Sequence, residues 1–361
     1  MALSACRRKR SEAPARRAFA FVANYDGNAV AAVDLSVFAV ARHIALEDHP
    51  TEIAAPLKLR SVFALTPESG VLHQIDLESL KRKAQLALGA TSVQTMRLSP
   101  DGTALYVLAG RKLIIVDLTR FAIAGHIAMP ETGATFEVAP YLGTIAVSGG
   151  KSGRISLIDP AARKVIGQCS IPGSELGSVG FLSNGKSIVA ADLSGSALSV
   201  FETASLKRIV ELPVAVRPDR LCFSQDGGQL FVTGEGSNAL AIVFPYYTPQ
   251  VAETVLAGRN PGAMAASDDP AYLFVANRAS SDVSILNMRS RKVIATVGVG
   301  EEPAFITVTP DGLHALVLNR KSGDMAVLRV GGITRNRQKM ASLFTMIPVG
   351  STPVSAAVRM V

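Results

Sequence analysis

Residues 262–297 contain the segments GAMAA (262–266), YLFVA (272–276), VSIL (283–286) and KVIATV (292–297), separated by polar turns. Each segment is either continuously apolar or alternates apolar and polar residues, which is typical of β-strands, and none has helical periodicity. In chain order we name these segments strands A, B, C and D. The stretch therefore predicts a unit of four short strands.

The same pattern recurs along the whole chain. The residue that ends each predicted strand B falls at Asn24, Thr66, Ala109, Gly149, Asp192, Gly234, Asn277 and Asn319. The spacings are 42, 43, 40, 43, 42, 43 and 42 residues. The position closing strand C has nearly the same period: Asp34, Asp76, Asp117, Asp159, Phe201, Phe244, Asn287 and Arg329. Four-stranded repeats of about 40–45 residues are typical of β-propeller blades.

The chain ends indicate how the ring closes. The first repeat begins at Phe19 with strand B and lacks strand A, whereas residues 353–360 form a strand A without its own strand B. Joining them completes one blade and removes free sheet edges. We therefore predict an all-β protein, a single propeller of eight blades over residues 19–361. Seven blades is the alternative, because the turn at residues 57–60 of the second blade has weak turn chemistry.

The residues of the repeat resemble those of the YVTN-type β-propeller repeat family, within the lactonase-like propellers. The similar segments are FVAN (274–277), VSILN (283–287), KVIATV (292–297) and GVGEEP (298–303). This resemblance implies an exported, periplasmic or surface propeller, usually without a defined enzymatic role. It brings no catalytic residues with it.

Composition and motifs exclude several function classes. The chain has 361 residues, 48% apolar and 18% charged, which excludes a disordered protein. It has no Trp, three scattered cysteines and five histidines, and it lacks haem, serine-hydrolase and zinc-helix motifs. We predict no cofactor, no metal site and no disulfide, with Cys169 and Cys222 as buried free thiols. No apolar run is long enough for a membrane-spanning helix.

The net charge of +8 is concentrated at the N-terminus. Residues 1–18 contain six basic side chains and one acidic side chain, which leaves a net +3 for the remainder. A nucleic-acid interface needs basic residues and aromatics on a folded face, so we predict no nucleic-acid partner. Residues 1–18 are expected to form a flexible basic tail.

The tail contains Leu3-Ser4-Ala5-Cys6, which resembles a bacterial lipobox but has no apolar segment before it. One interpretation makes Cys6 the lipidation site of an exported protein tethered to the cell envelope. The other makes the match coincidental and the protein cytoplasmic. We favour the first.

Candidate binding residues lie where B–C loops and D–A connections meet around the channel mouth. Asn24, Asp26 and Asn319 also fall there. Residues followed by Pro, such as Asn260 and Glu302, are expected to have extended backbone. The predicted binding residues are His49, Glu68, Arg111, Lys151, Asp192, Arg217, Glu235, Asn260, Asn277, Arg278, Glu302 and Arg320.

Two C–D loops differ from the others. Residues 244–249 combine three aromatics with two prolines, and residues 329–339 contain Arg335, Arg337 and Lys339. Exposed aromatics often anchor interfaces, although these could equally pack on a neighbouring blade. Basic loops are usually solvated surface, with phosphate or anionic lipid as the alternative.

The sequence favours a monomeric, non-enzymatic propeller that binds a protein or small molecule at the bacterial cell envelope. The alternative is a lactonase-like hydrolase of sugar lactones, with Glu302 or Glu68 as general base and Arg217 or Arg278 stabilising the oxyanion. A deep pocket with one carboxylate of raised pKa beside an arginine would favour the enzyme. A broad face of mixed charge would favour binding.

Overall fold

The computed structural model describes residues 17–141, 143–333 and 343–360. The strands of the first four blades, in chain order, are β1 (Ala18–Asn24), β2 (Ala29–Asp34), β3 (Ala39–Ala45), β4 (Glu52–Ala54), β5 (Ser61–Thr66), β6 (Val71–Asp76), β7 (Arg82–Ala87), β8 (Val93–Leu98), β9 (Ala104–Ala109), β10 (Lys112–Asp117), β11 (Ala122–Ala128), β12 (Thr135–Val138), β13 (Ile145–Ser148), β14 (Arg154–Asp159) and β15 (Lys164–Ser170).

The remaining strands are β16 (Leu176–Phe181), β17 (Ser187–Asp192), β18 (Ala197–Glu202), β19 (Arg208–Pro213), β20 (Arg217–Phe223), β21 (Leu230–Glu235), β22 (Ala239–Phe244), β23 (Gln250–Leu256), β24 (Pro261–Ala266), β25 (Tyr272–Asn277), β26 (Asp282–Asn287), β27 (Lys292–Gly298), β28 (Pro303–Val308), β29 (His314–Asn319), β30 (Asp324–Arg329), β31 (Leu343–Pro348) and β32 (Pro353–Met360). Single 3₁₀ turns occur at Gly150–Ser152 and Val330–Gly332. No helix in the described ranges is long and apolar enough to cross a membrane.

These strands form eight four-stranded antiparallel sheets, so the prediction of eight blades is confirmed and seven is excluded. Blade 1 has the order β3-β2-β1-β32, and blades 2 to 8 follow in chain order. The closure is also confirmed, because β32 pairs with β1 in an antiparallel register that includes Phe21 with Ala357. Blade 2 is complete, although its strand A, β4, has only three residues.

The core lies between blades, which explains why the strands are apolar on both sides. In β1, Ala20 and Val22 pack against blade 8, in a cluster that includes Leu316. Phe21 points the other way, into a cluster with Val62 of blade 2. Because successive side chains on a strand point to opposite faces, a middle strand covered on both faces becomes a continuous apolar run.

The predicted A–B turns form as their residues indicate. In blade 3, the Ser99 hydroxyl donates to Asp101 Oδ1 at 2.6 Å, and the N–H of Gly102 donates to the Ser99 carbonyl at 2.9 Å. Gly102 has φ +71°, which glycine adopts without steric cost. The same hydroxyl–carboxylate bond recurs in blade 8 between Thr309 and Asp311 at 2.6 Å.

Each blade runs in the same direction, so the loops divide between two faces of the disc. We call the face with the B–C loops and D–A connections the B–C face. The face with the A–B and C–D turns is the A–B face. Every predicted binding residue belongs to the B–C face.

The described cysteines are free thiols in partly buried positions. Burial raises the pKa of the Cys222 thiol to about 12 and also raises the pKa of Cys169. Such thiols are poor nucleophiles at neutral pH. Cys6 and the segment containing Arg335, Arg337 and Lys339 lie outside the described residues.

Candidate functional site

Glu302 lies at the centre of a group of charges on the B–C face between blades 7 and 8. Its Oε1 accepts a hydrogen bond from Arg278 Nη2 at 2.7 Å, and Arg320 Nη1 lies 4.0 Å from the same oxygen. Beside it, Lys321 Nζ lies 2.7 Å from Glu301 Oε2, and this bond lowers the pKa of Glu301 and raises the pKa of Lys321. An open depression of about 680 Å³ borders Asp26, Glu302, Arg320 and Lys321.

The backbone before two of the prolines is not extended as predicted. Asn260 has φ +54° and Glu302 has φ +55°, in the left-handed region. This conformation turns their carbonyl oxygens toward the next B–C loop, where they accept the backbone N–H groups of Arg278 at 3.0 Å and Arg320 at 2.9 Å. The gained hydrogen bonds offset the local strain and fix each D–A connection to its own blade.

A second arginine group lies between blades 5 and 6. Arg217 Nη1 lies 3.2 Å from Glu235 Oε2, and its Nη2 lies 3.9 Å from Glu175 Oε2. Its Nε donates to the Leu193 carbonyl at 3.3 Å. The depression beside Arg217 and Glu235 has a volume of about 560 Å³. Of these partners, the sequence predicted Glu235 but not Glu175.

The third group combines His49 with acidic residues between blades 1 and 2. The His49 ring stacks on Tyr25 with centroids 4.5 Å apart, and its Nδ1 lies 2.9 Å from the Tyr25 carbonyl oxygen. The Tyr25 hydroxyl donates to Glu68 at 2.8 Å, and Asp48 accepts the backbone N–H of Ser69 at 2.9 Å.

Asp48, His49 and Glu68 place one potential ligand atom each within 4.8 Å of the others. These three donors are fewer than the four of a structural zinc site, and both Asp48 oxygens already accept backbone N–H groups. Their spacing in the sequence gave no metal motif, because the group is assembled from two loops of blade 2, the D–A connection with Asp48 and His49 and the B–C loop with Glu68.

His49 is expected to titrate above the ordinary histidine range. The hydrogen bond to the Tyr25 carbonyl raises its pKa most, and Glu68, Asp48 and Asp26 raise it further. Burial lowers the pKa of His73 and His314. Because the folded pKa of His49 is raised, the stabilisation by its protonated form is complete below the ordinary value of 6.5 and disappears as pH rises through the raised value.

An NMR titration of the imidazole resonances should therefore place His49 above pH 6.5 and the other two below it. Glu68→Gln should lower the pKa of His49 and leave the pKa of His314 unchanged, since His314 lies in another blade. Titration of His49 below 6.5, or no response to Glu68→Gln, would contradict this electrostatic coupling.

Two predicted binding residues are buried, so they are not groups that a ligand on this face would touch. Asn277 Nδ2 donates to Asp282 at 2.7 Å and to Ser284 at 2.8 Å. Asp192 accepts hydrogen bonds from Ser174 at 2.5 Å and from the Gly195 N–H at 2.9 Å. Burial opposes ionisation of Asp192, but these bonds lower its pKa overall.

Asn277 belongs to a local packing arrangement that recurs in three blades. Asn24, Asn277 and Asn319 end strand B, and all three are buried. A Cβ on the glycine that faces each of them, Gly350, Gly258 or Gly300, would lie 2.5–2.8 Å from the amide nitrogen. The Asn at the end of strand B and the Gly before strand A thus form one packed unit, which explains why the repeat contains both.

Two predicted binding residues remain, Arg111 and Lys151. Arg111 Nη2 donates to the Pro130 carbonyl at 2.8 Å, and Lys151 is exposed. Neither residue joins the three charged groups through an ion pair among the described residues.

The central channel contains charges that the sequence predictions missed. Glu52 accepts hydrogen bonds from Thr95 Oγ1 at 2.6 Å and from the Met96 N–H at 2.7 Å. Arg97 lies 3.4 Å from Glu137 and 3.8 Å from Glu52. Glu52, Arg97 and Arg220 line a channel cavity of about 500 Å³. Glu137 lies beside this cavity, next to Arg97. The sequence carried one signal for these residues: each is a charged residue within a predicted strand A, the strand that lines the channel.

Comparison with known proteins supports the fold and does not assign a family. No protein-family model and no curated protein matches the sequence. Among solved structures, the dihydro-heme d1 dehydrogenase NirN in complex with DHE has a TM-score of 0.76 at 12% identity, covering 94% of this chain and 74% of that chain. Apo AztD from Citrobacter koseri has a TM-score of 0.72 at 12% identity, covering 95% of this chain and 98% of that chain.

Sqt1 from Saccharomyces cerevisiae has a TM-score of 0.70 at 11% identity, covering 84% of this chain and 86% of that chain. All three identities are far too low to transfer a function. These structures show that the chain has a propeller fold shared by proteins of different kinds.

Proposed function

We propose that this protein is a non-enzymatic binding propeller of the bacterial cell envelope, related to the YVTN-type repeat propellers, that holds a protein or small-molecule ligand on its B–C face. The observation that carries the proposal is the arrangement of charge on that face. Glu302 with Arg320 borders one open depression, and Arg217 with Glu235 borders another. His49 with its carboxylates forms a third charged group on the same face.

The electrostatics support binding rather than catalysis. Where a carboxyl pKa is displaced in the described residues, it is lowered, as at Asp48, Asp192 and Glu301. A general acid or base needs a carboxyl with a pKa nearer neutrality, which calls for burial or a second negative charge. Partly exposed arginines already held by carboxylates suit the recognition of a polar partner surface instead.

The lactonase-like alternative depends on one pair. Arg278 and Glu302 are adjacent, as an oxyanion-stabilising arginine and a general base would need to be. Their direct ion pair, however, holds the guanidinium on Glu302 Oε1, where it is not free to stabilise an oxyanion. Glu68 is bonded to Tyr25, and Arg217 lies between two glutamates, so neither has the required partner.

Affinity capture from native envelope extract tests the proposal. The intact chain should retain a partner, and the double variant Arg217→Glu with Arg278→Glu should lose it by about tenfold or more. Arg217 borders one depression, and Arg278 is bonded to Glu302, which borders the other. The matched control is Arg120→Glu with Lys207→Glu, two exposed residues in C–D turns of the A–B face. Thermal melting verifies that all variants fold.

Retention of the partner by the first variant and loss by the control would place binding on the A–B face and contradict the proposal. If no partner is captured, hydrolysis of sugar lactones becomes the assay to perform, with Glu302→Gln as its control. Turnover that is lost in this variant would replace binding with catalysis.

A further inference from the structure

Large apolar side chains are exposed unevenly on the two faces. Five loop residues of the A–B face are between 60% and 105% exposed: Val37, Leu57, Tyr141, Tyr247 and Leu313. Within residues 17–141, 143–333 and 343–360, no loop of the B–C face carries an exposed large apolar side chain. Leu256 is 77% exposed, but it is the last residue of β23, the outer strand of blade 6, and does not belong to a loop.

The aromatic loop of blade 6 fits this division. Tyr246 packs on the neighbouring blade, where its hydroxyl accepts the N–H of Ser183 at 3.0 Å. Tyr247 beside it is fully exposed on the A–B face. In this loop, Tyr246 is therefore packed and its neighbour Tyr247 is exposed.

Val37, Leu57 and Leu313 belong to three adjoining blades. Phe38, next to Val37 in blade 1, contacts His314 of blade 8 at a centroid distance of 5.3 Å and Phe344 at 4.7 Å. On the other side, Arg359 of blade 1 donates to the backbone carbonyls of Leu57 and Leu59 in blade 2. Val37, Leu57 and Leu313 therefore lie on three adjacent blades of the A–B face, and we call this region of blades 8, 1 and 2 the apolar sector.

The chain enters the propeller at this sector. Strand β1 begins at Ala18 on the A–B face of blade 1, and Arg17 before it is exposed. The sixteen residues preceding it contain Arg7, Arg8, Lys9, Arg10 and Arg16 against one acidic residue, Glu12. The apolar tips and the strongest concentration of positive charge in the sequence are therefore attached to the same part of the molecule.

We propose that the apolar sector docks on an anionic lipid bilayer, with Val37, Leu57 and Leu313 inserted at the interface, and that the positive charge of the attached N-terminal sequence adds attraction to anionic lipid. Apolar insertion and attraction to anionic lipid add together in peripheral membrane binding. A second copy of the chain is a poorer occupant, because face-to-face pairing would bring two basic segments together. The B–C face then points away from the membrane, toward the aqueous compartment.

Binding of the unlipidated full chain to lipid vesicles tests this orientation. The vesicles are phosphatidylcholine alone or phosphatidylcholine with phosphatidylglycerol, and bound protein is measured by co-sedimentation. The intact chain should bind the anionic vesicles, and the triple variant Val37→Gln, Leu57→Gln and Leu313→Gln should bind about tenfold less. Leu256→Gln, an exposed leucine away from the sector, should bind like the intact chain.

A separate variant tests the contribution of the basic N-terminal residues to vesicle binding. Replacing the five basic residues of the N-terminal segment by Gln should remove the preference for anionic vesicles, and salt at about 0.5 M should weaken binding of the intact chain. Equal binding by the triple variant and the intact chain would overturn the proposal, as would no preference for anionic lipid. Self-association of the intact chain that is lost in the triple variant, without vesicle binding, would identify the sector as an interface between copies.

Discussion

Removing residues 352–361 should abolish the cooperative thermal unfolding of this protein. These residues contain β32, the inner strand of blade 1, which pairs with β1 from Ala18 to Asn24. Ala356 of β32 also packs in the apolar cluster that joins blade 1 to blade 8. Without the strand, β1 becomes an open edge and the ring loses its connection between the two chain ends, so we expect aggregation instead of a monomeric folded state.

Differential scanning calorimetry and sedimentation velocity measure this effect. A synthetic peptide of residues 352–361, added in trans, should restore a cooperative transition, because the missing interactions are hydrogen bonds and packing and not a covalent link. A scrambled peptide of the same composition is the matched control. A truncated chain that melts within a few degrees of the intact one would show that closure contributes little to stability.

Gly234→Ala should destabilise the fold by about 3 kcal/mol. A Cβ at Gly234 would lie 1.6 Å from the backbone oxygen of Arg217 and 3.0 Å from the backbone nitrogen of Asp219. Backbone atoms cannot move aside as a flexible side chain can, so β20 and β21 would have to separate where Pro218 pairs with Gly234. The same shift would move Arg217 away from Glu235 and weaken partner binding on the B–C face.

The matched control is Gly298→Ala, at the end of β27, where no atom lies within 4 Å of the added Cβ. Its free energy of unfolding should change by no more than about 0.5 kcal/mol. Urea denaturation of both variants compares them directly. Equal midpoints for the two variants would mean that the strand pair at Arg217 adjusts without cost.

The candidate site was predictable at the level of the face and not at the level of its contacts. The loop spacing placed Glu302, Arg278 and Arg320 on one face, and the structure brings all three together. Spacing alone did not show that Asn277 and Asp192 turn inward. Whether a side chain at the end of strand B is buried depends on the glycine or serine opposite it, which belongs to the connection before strand A.

The ring was predicted from the sequence: a four-strand pattern with a period of about 42 residues and complementary chain ends indicates the blades and the closing strand, and it favours eight blades over seven. This was possible because strand alternation and turn chemistry are local properties. The groups of His49 with Asp48 and Glu68, and of Arg217 with Glu175 and Glu235, are formed only in the folded molecule. Their members come from different loops or neighbouring blades, so side-chain direction and blade packing bring them together, and neither is encoded in residue spacing.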